Sequence, residues 1–135
     1  MPHLSFSANP VNKCASQIFA DIRLLDKEKH IPGTKVDIWY HGQNLGQAEI
    51  KSFVHFFHQD INDSISFLAF GKESLSVKAM LSRFYSPVQP KTIFTFIVME
   101  WVNRNIPAQE ALMADWWSGL AENYRNPAQT ELFHQ

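Results

Sequence analysis

Apolar and polar positions alternate most clearly over Val36, Ile38 and Tyr40, and again where Ala48 and Ile50 interleave with Glu49 and Lys51. A period of two is the mark of strands with one face buried. The first run is entered through Ile31-Pro32-Gly33, where proline presets one backbone angle and glycine tolerates the reversal. His41-Gly42-Gln43-Asn44-Leu45-Gly46 then reads as a hairpin loop, and Gln47 to Phe57 as the returning strand. Thr92 to Trp101 is almost continuously apolar and rich in β-branched and aromatic residues, which predicts a central strand buried on both faces.

Helical spacing predicts four further elements. Asn62-Asp63-Ser64 supplies capping side chains ahead of Ile65, Leu68 and Ala69, with a stop at Gly71. A second apolar stripe, Leu75, Val77, Ala79, Met80, Leu81 and Phe84, ends at Tyr85 before Ser86-Pro87. A third runs from Ala108 to Tyr124 between Pro107 and Asn126-Pro127. Near the N-terminus, Asn9-Pro10 opens a turn, and Val11, Cys14, Ala15 and Ile18 predict a short helix over Val11 to Ile22. Residues 1–106 form the expected domain. Residues 107–135 form a helical extension packed on it, with Ala128 to Gln135 as a mobile tail.

Composition narrows the chemistry. The 135 residues suit one domain with its own core, and the net charge of −1 gives no long-range attraction for nucleic acid. Any such site must be local. Lys13, Arg23, Lys27, Lys29 and Lys35 bias the N-terminal third, although Asp21, Asp26 and Glu28 lie among them. The lone Cys14 excludes an internal disulfide and suits a reducing compartment. With neither a secretion signal nor a long apolar run, a cytoplasmic protein without membrane association is expected.

Motifs for familiar catalysis are missing: there is no Gly-x-Ser-x-Gly elbow, glycine-rich phosphate loop or His-Glu-x-x-His. His55 and His58 flank Phe56-Phe57, but positions three apart in a strand face opposite sides, so neither a metal nor a cofactor is expected. Trp39, Tyr40, Trp101, Trp116 and Trp117 offer a stacking surface for a base, with core packing claiming most of them. Trp116 and Trp117 cannot both point inward from one helix. One of them is therefore a candidate contact for a protein partner or for self-association.

The order of Leu4-Ser5-Phe6, Ile22-Arg23, Pro32-Gly33, Val36 to Tyr40, Gly46 to Ile50, Leu68 to Gly71, Leu81 to Tyr85 and Ile93 to Trp101 resembles the ASCH domain of the PUA-like superfamily. The resemblance spans the first three quarters of the chain through short, degenerate motifs. It implies an α+β fold, a small mixed β-barrel with helices packed on it, and a cleft near Ile22-Arg23. It also implies binding of RNA or a nucleotide-like ligand there, with Arg23, Lys35, Trp39 and Tyr40 lining the cleft. Some members of that family deacylate N-acylated cytidine through a Gly-x-Lys-x-x-Thr-x-Arg pattern. With Arg23 at the final arginine, Ser16 takes the glycine position, Ile18 the lysine and Asp21 the threonine. No catalytic residue is therefore assigned. Isoleucine cannot attack or donate, and an amidohydrolase acting on a modified nucleoside would need a displaced lysine such as Lys13 or Lys35. The alternative for Arg23 is a structural ion pair with Asp21, Asp26 or Glu49.

Overall fold

The computed structural model describes residues 3–6, 14, 16–26, 31–112 and 114. Five strands, β1 (His3–Phe6), β2 (Ile18–Leu24), β3 (Lys35–Tyr40), β4 (Gln43–Phe57) and β5 (Ile93–Arg104), form one sheet in the order β1-β3-β4-β5-β2. β1 runs parallel to β3, and every other pairing is antiparallel. The two ends of the sheet approach each other, making an open half-barrel, consistent with the small mixed β-barrel expected from the sequence but not closed. The fold is accordingly α+β.

The first strand pair is set by turn chemistry. The Thr34 N–H donates to the Ile31 carbonyl at 3.0 Å, with Pro32 and Gly33 in the central positions and Gly33 at φ 85°. That is a turn in which the third residue must take positive φ. At the other end of β3, His41 and Gly42, at φ 47° and 80°, make a two-residue hairpin turn. The expected loop through Gly46 is thus much shorter. Asn44 and Gly46 already pair with β3, and Leu45 is fully buried.

The predicted helix over Val11 to Ile22 is overturned where it can be followed: Ile18–Leu24 is strand β2, paired with β5 along its whole length. Its buried apolar residues, Phe19 on one face and Ala20 and Ile22 on the other, suit a strand between a core and packed helices better than one helical stripe. Residues 11–13 and 15 lie outside the described residues.

Two apolar clusters sit on opposite faces of the sheet. The concave face gathers Leu4, Phe19, Val36, Ile38, Leu45, Ile50, Ile97 and Met99 from all five strands. On the convex side, Ala20, Ile22, Phe94 and Phe96 pack against α1 (Asp63–Phe70) and α2 (Ser74–Phe84). The Asn62 side chain caps α1 by accepting from Ile65 N–H at 3.1 Å, and Gly71 ends it in the left-handed conformation, as the sequence pattern predicts. A third helix, α3, covers residues 106–112 and places Leu112 in the concave core. The rest of the expected C-terminal helix, the tail, Trp116 and Trp117 lie outside the described residues.

Candidate ligand site at the seam of the half-barrel

β2 and β1 end the sheet, and Arg23 spans the seam between them. Its Nη2 donates to the Ser5 carbonyl at 2.6 Å, while Nε donates to Asp21 Oδ2 at 2.5 Å. Asp21 is buried and Arg23 is one-fifth exposed. A buried carboxylate needs a compensating charge, and the planar guanidinium supplies that while retaining its forked geometry. The structural ion pair expected as the alternative for Arg23 is therefore present, with Asp21 as its partner. Asp26 and Glu49 are not needed for it.

On the outer side of β1, Ser5, Trp39, His41 and Gly42 line a shallow open depression of about 330 Å³. Ser5 and Trp39 are register partners, and Trp39 is half-buried. Tyr40 points the other way, onto the concave core, and its ring stacks on His41 at 4.2 Å between centroids. Lys35 opens β3 opposite Glu49, four residues from Trp39, or about 13 Å along a strand. Arg23 and Trp39 thus flank Ser5, whereas Tyr40 belongs to the core side and Lys35 to the far end of the strand.

The concave face adds two residues that the sequence did not single out for this site. Arg23 and His55 are both register partners of Thr95, which places Arg23, Thr95 and His55 in one row across β2, β5 and β4. Thr95 is fully buried, and its Oγ1 lies 3.1 Å from His55 Nδ1. The next row inward is Asp21, Ile97 and Phe53. A signal did exist in the sequence: Thr95 is the one hydroxyl inside the apolar run Ile93 to Val98, and His55 falls two residues from Phe53 on the same face.

His58 turns elsewhere, its Nε2 3.0 Å from the Lys78 carbonyl and 3.2 Å from Ser82 Oγ, so the two histidines serve different surroundings. Trp101 is buried beside Phe19, with its Nε1 donating to the Cys14 carbonyl. It is a core residue. No helix among the described residues is long and apolar enough to cross a membrane.

The arrangement defines a class: an α+β half-barrel with a buried aspartate paired to a partly exposed arginine at its seam, and a polar row of Arg23, Thr95 and His55 across its concave face. No family model matches the chain, and no curated protein does. Among solved structures the chain is similar to protein EF3133 from Enterococcus faecalis V583, of the DUF984 family. The likeness has a TM-score of 0.62 at 15% identity and covers 82% of each chain. At that identity the likeness concerns the fold.

Proposed function

We propose that this half-barrel is a PUA-like module of the ASCH type that binds RNA or a nucleotide-like ligand at the seam, without catalysis. The observation that carries this reading is Arg23, anchored by Asp21 and Ser5 beside a depression walled by Trp39. A fixed guanidinium recognises phosphate through paired donors, and an indole face accepts a base by stacking. The deacylase alternative gains nothing from the fold: Ile18 opens β2 as an exposed residue, and Lys35 stands opposite Glu49, away from Trp39.

Fluorescence anisotropy of labelled single-stranded RNA tests the proposal. The expected result is binding that weakens as salt rises, because phosphate contacts release counterions. Trp39→Ala should weaken it about tenfold, the loss of roughly 1–3 kcal/mol of stacking per base. Absence of affinity across pyrimidine-rich and purine-rich RNAs, or binding indifferent to salt, would overturn the proposal.

A further inference from the structure

The Thr95–His55 pair has no evident structural use. A hydroxyl in the middle of a buried strand must be satisfied, and a valine of the same shape would pack there without that demand. The satisfying group is the ring of an exposed residue, for which a hydrogen bond adds little to stability in competition with water. What the pair does accomplish is orientation. With Nδ1 tied to Thr95, the imidazole is fixed and its Nε2 edge is directed away from the anchor. The Phe53 ring lies 4.8 Å from the imidazole, tilted by 40°. Phe57 and Ile93, exposed register partners one step further out on this face, complete an apolar rim.

We infer that His55, oriented by Thr95, reads the nucleobase of a nucleotide whose phosphate lies toward Arg23. The inference rests on the nucleotide-binding proposal and adds to it a second base position, on the concave face, distinct from the one at Trp39 on the outer side of β1. Arg23 and His55 stand two strand spacings apart, roughly 10 Å, which is comparable to the span of a single nucleotide from phosphate to base edge. A planar heteroaromatic ring suits the remaining surface, since its face meets Phe53 and its polar edge pairs with Nε2. A purely aliphatic occupant would cover that nitrogen without satisfying it. Thr95 acts through His55 and is a positioning residue.

Calorimetric titration of the full chain with the four ribonucleoside monophosphates and with ribose phosphate separates the claims. Wild type should prefer at least one nucleotide over ribose phosphate by about tenfold, the value of one well-made hydrogen bond. His55→Phe, which keeps a ring and removes both nitrogens, should erase that preference while leaving ribose phosphate affinity unchanged. Thr95→Val should reduce the preference and alter the nitrogen NMR shifts of the His55 ring, and Thr95→Ser should restore both. Nucleotides binding no tighter than ribose phosphate, or His55→Phe retaining the preference, would overturn the inference and leave the RNA proposal standing. Failure of wild type to bind nucleotides, ribose phosphate and RNA would overturn both.

Discussion

Gly46→Ala tests the account of how β4 is fixed against β5. Gly46 sits at φ 129°, in a region that side-chain-bearing residues rarely occupy. A Cβ built there would fall on the Asn103 carbonyl oxygen, with Arg104 Cα at 2.9 Å and Asn105 N at 3.0 Å. All three are backbone atoms of the paired strand and its continuation, so no side-chain rotation relieves the overlap. The surrounding chain is tied down as well: Asn105 N–H and the Gln109 side chain both donate to the Leu45 carbonyl, and the Asn105 amide donates to Asn44. Backbone strain of about 1–3 kcal/mol and overpacking of about 1–3 kcal/mol should together cost roughly 2–6 kcal/mol.

Gly33→Ala is the internal control. Gly33 also has positive φ, at 85°, but nothing lies within 4 Å of its Cβ position. Strain alone should cost about 1–2 kcal/mol. For a chain of this size each kcal/mol lowers Tm by roughly 4 °C. The expected losses are therefore about 8–24 °C for Gly46→Ala and about 4–8 °C for Gly33→Ala, with Gly46→Ala melting lower by the overpacking that Gly33→Ala lacks, read by thermal circular dichroism. If Gly46→Ala melts within about 2 °C of Gly33→Ala, the close approach of the strands at this point is wrong.

Two further outcomes follow from local chemistry. Asn62→Ala removes the acceptor for Ile65 N–H and should cost about 1 kcal/mol in chemical denaturation, with Asn62→Asp largely retaining the cap. On the convex face, the Lys51 ammonium, hydrogen-bonded to Glu49 at 2.6 Å, holds the Glu49 carboxyl below the usual range, aided by Lys35, and Glu49 raises Lys51 in return. The stabilisation from Glu49 is present above its unfolded-state value and is lost as pH falls through the depressed folded value, whereas that from Lys51 is lost as pH rises through its raised one. Carboxyl NMR titration should show Glu49 moving upward in Lys51→Met, and an unmoved midpoint would refute the pairing.

The elements that were legible in the sequence carry their determinants locally. Pro32-Gly33, Asn62 and Gly71 act through backbone angles and caps within four residues, and the run around Phe94 to Ile97 admits little besides a doubly covered strand. β2 was misread because its apolar residues serve two clusters, Phe19 inward and Ala20 and Ile22 toward the helices. Such a doubly buried strand has no clean period of two, and its apolar residues can be mistaken for one helical stripe. The site was half legible for a related reason. Arg23 stands out in any listing of charges, but its relation to Ser5 depends on sheet ends far apart in strand order that curvature brings together. The row linking Arg23 to Thr95 and His55 depends on the register of two strand pairs, which residue type alone does not fix.

The Asp21–Arg23 pair also constrains what kind of binding the seam can perform. Asp21 offsets the charge of Arg23 at close range, so the seam presents oriented donors rather than a strong positive field, in keeping with a net charge of −1. Affinity for RNA built on such a site should respond only shallowly to salt, with a slope near that of one phosphate contact, and base contacts must supply most of the rest. Truncating Arg23 is a poor test of this, because it strands a buried carboxylate at a cost of about 3–5 kcal/mol and confounds binding with folding. Arg23→Lys retains the charge and removes the fork. If phosphate recognition depends on the guanidinium geometry, that variant should lose affinity for ribose phosphate while still preferring nucleotides through His55, separating the two halves of the site by measurements on one folded protein.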